Sequence, residues 1–442
     1  APLLRKFKIN IPRSTMLSAR QWSMSAGGIE MRAVIMAGGK GTRVASVSEV
    51  LPKPMLPICG KPVLLHQIDC LRRQGITSIT LTIGHLGQQI RNYFGDGSRF
   101  GVQIDYIVEK EPLGTAGALS FLKGSVSDDF LLINGDLIFD IDIHRMMVFH
   151  KAHHGLVTLL AHPNDHPYDS SIILVDSDDR VTDWLTKENN QKWYHNCVNA
   201  GIHILSPRLL EGLIEFRKID LDREILRPMI PSGQIFAYRS PEYIKDMGTP
   251  ERIAQVEHDM MAGLVELKNL NRKQRAIFVD RDGTINRYVG FLRRPEELEL
   301  LDGAAEAIRR INQSGYLAIV VTNQPIIARG EVTWEGLDTI HRKLETMLGH
   351  EGAYLDDILI CPHHPDKGFL GERLEYKIDC DCRKPKPGLL RQAAEWYNID
   401  MENSWMIGDQ PQDEAAGKAA GCQTIRLLEQ TRLLDAVKHM GL

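Results

Sequence analysis

Two stretches of this chain, "RAVIMAGGKGTR" (residues 32–43) and "AIFVDRDGTIN" (276–286), run from a short apolar segment straight into a loop of unusual chemistry. The first loop carries three glycines and an arginine, the second two aspartates and a glycine. Short apolar runs read as buried strands, and ligands of α/β sheets sit at the carboxyl ends of the strands. Each stretch therefore reads as the opening strand of its own α/β sheet. A chain of 442 residues exceeds one ordinary core, since domains typically hold ~100–200 residues. Two loops on two sheets imply two sites.

The rest of the pattern agrees with that division. "RAVIMA" (32–37), "ITLTI" (79–83), "VQIDYIV" (102–108) and "FLLING" (130–135) read as strands, separated by amphipathic stretches such as "PVLLHQIDCLRRQG". A second series, "AIFVD", "YLAIVVTN", "DILIC" and "SWMIGD", alternates with helical patterns at 302–313, 335–349 and 387–397. The expected fold class is α/β throughout, two domains each built on a mainly parallel sheet wound with helices. The boundaries are a leader at 1–30, a first domain at 31–265, a polar and basic linker at 266–274, and a second domain at 275–442.

Composition narrows the partners. A formal net charge of −4 with 25% charged residues leaves no polybasic field for nucleic acid, so anionic small molecules must be held by local cations. No apolar run reaches the ~18 residues of a membrane helix. Seven cysteines, three of them between Cys361 and Cys382, form no disulfide framework and suit a reducing, cytoplasmic setting. Residues 1–30 hold five Lys/Arg, four Ser and a single acid; they read as a disordered or non-native extension, or as a transit peptide, which would make the protein organellar.

In the first loop, Gly38, Gly39 and Gly41 let backbone N–H groups approach phosphate oxygens, with Thr42 beside them, while Arg43 and Lys53 supply positive charge. An ordinary βα turn also uses glycines, and neither the Walker nor the dinucleotide fingerprint is present. "AGGKGTR", "LPKPMLPICGKP", "EPLGTAGAL", "INGD", "NAGIHIL" and "DMGTPER", in that order, resemble the sugar-1-phosphate nucleotidyltransferases, especially the mannose-1-phosphate and heptose-1-phosphate guanylyltransferases. The resemblance implies a Rossmann-like fold and attack of a sugar-1-phosphate on the α-phosphorus of a nucleoside triphosphate, GTP by preference. It also implies Mg²⁺ on Asp136 and Asp246, nucleotide contacts at Gly114, Thr115 and Ala116, and sugar contacts at Asn199 and Gly201. The family's Glu-Lys-Pro segment is replaced by "TKEN" (186–189), which assigns Lys187 and Glu188 to the substrate.

The second loop delivers Asp280 and Asp282 to a strand tip, where one carboxylate can attack while the other moves protons; a metal-binding or surface pair would share the spacing. Thr322 in "VVTN", Lys384 in "CRKPKPG", and Asp409 and Asp413 in "GDQPQD" complete a set that resembles the haloacid dehalogenase phosphatases. That resemblance makes Asp280 the nucleophile and Asp282 the acid/base. It places Mg²⁺ on Asp280, Asp282, Asp409 and Asp413, and sets Thr322 and Lys384 on the phosphoryl oxygens. Cys361, His363, Cys380 and Cys382 form a C-x-H and C-x-C pair, the Cys3His set of structural zinc. With "TNQ" and "ARG", this set is similar to the histidinol-phosphate and D-glycero-D-manno-heptose 1,7-bisphosphate phosphatases. Substrate contacts at Asn323, Arg329 and Arg383 follow.

Joined, the halves imply successive steps: removal of one phosphate from a sugar bisphosphate, then nucleotide activation of the sugar-1-phosphate. The alternatives are a mannose or other hexose route, and one half acting as a catalytically silent regulatory module. Partners are then an NTP and sugar phosphates, with homo-oligomerisation left open.

Overall fold

The computed structural model describes residues 31–39, 51–186, 192–214 and 217–442. Gly41, Thr42, Arg43, Lys187, Glu188 and the leader lie outside the described residues. No helix among the described residues is long and apolar enough to cross a membrane.

The first sheet is built from β1 (Arg32–Met36), β2 (Ser78–Ile83), β3 (Gln103–Val108), β4 (Phe130–Asn134), β6 (Val157–His162), β7 (Ile172–Val175), β8 (Val181–Leu185), β9 (Val198–Leu205) and β10 (Ile235–Arg239). Its order is β8-β7-β9-β4-β1-β2-β3, with β6 paired to β9 and β10. The half containing β1 to β4 is parallel, and β9 enters antiparallel to β4. Alternation along β1 explains its central place. Ala33 and Ile35 pack into one buried cluster and Val34 into another, so the strand is covered on both faces. A small ribbon pairs β5 (Leu137–Asp140) antiparallel with β11 (Tyr243–Asp246) and sets Asp246 opposite Leu137.

The second sheet is wholly parallel. β12 (Arg275–Val279), β13 (Tyr316–Asn323), β14 (Asp357–Cys361), β15 (Trp405–Gly408) and β16 (Gln423–Arg426) take the order β14-β13-β12-β15-β16. Ile277 and Val279 face one core cluster, Ala276 and Phe278 the other. Burying side chains the size of Ile277, Phe278 and Val279 contributes about 1.5–3 kcal/mol each. The helices that bear on function are α1 (Val63–Arg73), α2 (Pro250–Met261), α3 (Ala304–Asn312), α4 (Trp334–His350), α5 (Gly388–Tyr397) and α6 (Pro411–Ala420).

The 266–274 joint is packed rather than loose. Asn269 donates to Asp140 at 2.6 Å, and Leu270 N donates to Glu242 at 2.8 Å. Glu242 also accepts from Asp142 N and Ser240 Oγ; burial and the nearby Asp142 push its carboxyl up to about 7.

Candidate active sites

Three of the five strands in the second sheet end on phosphatase-type residues: Asp280 follows β12, Thr322 is the penultimate residue of β13, and Asp409 follows β15. Asp413 arrives from the first turn of α6, where its carboxylate accepts from Gln410 N at 3.0 Å. Carboxylate oxygens of Asp280, Asp409 and Asp413 all lie within 4.8 Å of one another. Gly283 makes this convergence possible: its φ is +86°, and a Cβ there would stand 2.6 Å from Asp409 Oδ2.

Lys384 is 1% exposed and reaches Asp280 at 2.6 Å, Asp413 at 2.7 Å and the Val321 carbonyl at 2.7 Å. Burial, opposed by Lys384 and reinforced by Asp413 and Asp282, pushes Asp280 up to about 7. One buried cation among three carboxylates leaves the cluster short of positive charge, and Asp409 Oδ1 is buried with no hydrogen-bond partner. The set fits Mg²⁺, a hard cation that takes oxygen donors.

Asp282 departs from the expected four-carboxylate metal set. Its oxygens are taken by Arg281 at 2.7–3.2 Å, Asn286 at 3.0 Å and Gln324 at 2.8 Å, and it stands outside the acidic cluster. Despite burial, these partners hold its carboxyl below the usual range. Thr322 Oγ1 accepts from the same Gln324 at 2.8 Å, which leaves its own proton to donate. Asn323 does not reach outward: its side chain donates to the Lys384 carbonyl at 3.0 Å and accepts from Lys384 N at 3.1 Å, clamping that backbone. Arg329 pairs with Glu331 between the rings of Phe291 and Phe369, and Arg383 donates to the His363 carbonyl.

Cys361, His363, Cys380 and Cys382 gather at the end of β14, with Sγ–Sγ separations of 3.1–3.6 Å and His363 Nδ1 at 3.2 Å from Cys382 Sγ. Sulfurs on a tetrahedron of ~2.3 Å radius stand roughly 3.8 Å apart, so this donor set fits zinc. His364 lies outside the group and accepts from Asp366 N.

A cleft of about 750 Å³ opens at the carboxyl ends of β1 and β4 and runs on to Arg309, Asn312, Gln313, Gly352 and Tyr354 of the second domain. It is lined by Gly38, Gly39, Lys53, Gly114, Thr115, Asp136, Asn199, Gly201 and Asp246, which brings together the expected residues among those described, except Ala116. Ala116 is buried behind it and donates to the Ile219 carbonyl. Lys53 Nζ meets Asp136 at 2.5 Å. Asp246 receives both of its contacts from Arg252 Nη1, at 2.7 and 2.8 Å. The β5–β11 pairing brings the two acids to adjoining positions, with Met247 N donating to the Asp136 carbonyl. Both acids are cleft-lining carboxylates, the donor type Mg²⁺ takes, and each carries a cationic partner, Lys53 or Arg252. Gly114 has φ +76°, and a Cβ there would strike the Ile219 carbonyl at 2.4 Å; Thr115 Oγ1 accepts from Leu221 N at 2.7 Å. Asn199 accepts from Gly201 N.

Sequence reasoning missed Arg252, Lys245 and Glu109 on this cleft. Arg252 stood inside the quoted "DMGTPER" and Glu109 two residues before "EPLGTAGAL", so position in the motifs was the available signal.

A nucleotidyl transferase family model matches residues 32–262, and a haloacid dehalogenase-like hydrolase model matches 173–421. The two matches overlap at 173–262, where the strands belong to the first sheet and to the β5–β11 ribbon; the second sheet begins with β12. Mannose-1-phosphate guanylyltransferase of Mycobacterium tuberculosis is 30% identical over 238 residues, covering 53% of this chain and 66% of that protein. The chain thus spans slightly under two thirds of the length of the curated relatives it matches. Among solved structures, HddC from Yersinia pseudotuberculosis is 27% identical over 52% of this chain and 99% of that one, with a TM-score of 0.46. D,D-heptose 1.7-bisphosphate phosphatase from B. bronchiseptica, complexed with magnesium and phosphate, is 31% identical over 38% of this chain and 98% of that one, with a TM-score of 0.33.

Proposed function

Because the chain belongs to the nucleotidyl transferase family through residues 32–262 and to the haloacid dehalogenase-like hydrolases through residues 173–421, we propose that it carries two enzymes acting in sequence. The second domain hydrolyses one phosphate from a sugar bisphosphate, and the first transfers a nucleotidyl group from an NTP to the remaining sugar-1-phosphate, releasing pyrophosphate. One observation carries the reading: two separate sheets each end on their own set of charged groups, Lys53–Asp136 with Asp246 in one and Lys384–Asp280 with Asp409 and Asp413 in the other.

In the hydrolytic step Asp280 attacks phosphorus and the sugar oxygen departs, taking a proton from Asp282, which enters this step in its protonated form although Arg281, Asn286 and Gln324 favour its carboxylate. Water then attacks the aspartyl-phosphate, Asp282 takes its proton, and inorganic phosphate leaves as Asp280 is restored. Lys384 and Thr322 steady the negative phosphoryl oxygens, and Asn323 keeps Lys384 in register. Mg²⁺ bound at Asp280, Asp409 and Asp413 would supply further charge neutralisation. In the transfer step no strong base is needed, so catalysis is alignment and neutralisation of charge. Lys53 faces the triphosphate, and Asp136 and Asp246 would hold Mg²⁺.

GTP is the proposed donor, on the likeness to guanylyltransferases. The proposed substrate is D-glycero-D-manno-heptose 1,7-bisphosphate, cleaved at position 7, on the resemblance carried by "TNQ", "ARG" and the Cys3His set. Mannose-1-phosphate is the second candidate, favoured by the same relatives. A cytoplasmic location and structural zinc belong to this proposal. A matrix of NTPs against sugar-1-phosphates, read by pyrophosphate release, with phosphate release from bisphosphates alongside, tests it. GTP with heptose-1-phosphate should give the highest kcat/KM; absence of transfer with every pair would leave the first domain a silent module.

A further inference from the structure

Arg281, the residue between the two catalytic-type aspartates, is completely buried. Its Nε and Nη2 donate to Asp282, and its Nη1 donates to His341 Nε2 at 2.9 Å. Burial and the guanidinium charge push His341 down to about 3, so a neutral imidazole is there to accept. His341 lies on α4, one turn from Asp338 and from Glu345. Those two carboxylates hold a histidine of the other domain: His195 Nε2 meets Asp338 at 2.7 Å and its Nδ1 meets Glu345. Next to it, Tyr194 N donates to Thr346 Oγ1 at 2.9 Å, again across the domains. Burial alone would lower His195, but Glu345 and Asp338 carry it up to about 9. The same face of α4 therefore grips the transferase domain on one side and the Arg281 guanidinium on the other.

We propose that His341 and, through α4, His195 of the transferase domain are positioning residues for Asp282, so that one domain fixes the proton-transferring carboxylate of the other. Neither histidine touches substrate in this account, and the proposal rests on the phosphatase reading above.

Leaving-group dependence tests it. kcat/KM reports phosphorylation of Asp280, in which a sugar alkoxide needs the proton of Asp282 whereas p-nitrophenolate leaves without one. In the full chain, His341→Leu should lower kcat/KM on a sugar phosphate by about 10–100-fold and on p-nitrophenyl phosphate far less. His341→Gln, which keeps an acceptor for Arg281, should recover most of the loss. His195→Ala should shift the ratio of the two substrates in the same direction by a smaller factor, and it carries the test if His341→Leu does not fold. An equal fall on both substrates, or an unchanged ratio in both variants, would reduce the contacts to ordinary packing and overturn the proposal alone. A wild-type chain inactive on both substrates would overturn the phosphatase reading and this proposal with it.

Discussion

The Lys384 ammonium lies 2.6 Å from the Asp280 carboxylate, bringing together groups from β12 and from the loop before α5. The same ammonium also meets Asp413, so one cation holds two buried acids in place. Lys384→Met should abolish phosphate release from bisphosphate. It should also lower unfolding stability by about 3–5 kcal/mol, because removing one partner strands buried charge. Urea melts and a phosphate assay check both, and near-normal turnover would contradict the role given to Lys384.

The zinc set sits two residues from that lysine in sequence, with Cys382 leading into Arg383 and Lys384. Metal analysis of the purified chain is expected to find zinc. Stripping it, or Cys382→Ser, should loosen the loop and reduce phosphatase activity while pyrophosphate release persists, since metal-binding free energy here is folding free energy. Zinc-free protein with full phosphatase activity would contradict the assignment.

The domain contact should depend on pH. His195 is raised from 6.5 to about 9 in the folded chain, so the stabilisation from its two carboxylate partners is fully present below about pH 6.5 and is lost as pH rises through about 9. The difference in melting temperature between wild type and His195→Gln should shrink across that window. A difference that is constant, or that grows with pH, would be inconsistent with an imidazolium at the interface.

The strands and the residues clustered at their tips were legible because both are local. "YLAIVVTN" coincides with β13 and "DILIC" with β14, each a short buried run in a parallel sheet. Cys361, His363, Cys380 and Cys382 were readable because ligand spacing is itself a sequence pattern. What escaped depends on contacts between distant residues. Nothing around His195 announces Asp338 or Glu345, and nothing in "DRD" announces His341. Asn323 read as a substrate contact because its place beside Thr322 says nothing about the Lys384 backbone that its amide clamps. Asp282 read as a metal ligand through the resemblance to the phosphatases, whereas Arg281, Asn286 and Gln324 take its oxygens.

Mixing two single-site variants distinguishes two independent sites on one chain from a single shared site. Asp280→Asn should cut phosphate release roughly 10⁴-fold or more while leaving transfer from a supplied sugar-1-phosphate intact. Asp136→Ala should stop transfer while the bisphosphate is still hydrolysed. Neither variant alone should convert bisphosphate and GTP to nucleotide sugar, and the mixture should restore that conversion because the sugar-1-phosphate diffuses from one protein to the other. Loss of both reactions in either folded single variant, or failure of the mixture to form product, would contradict the two-site account.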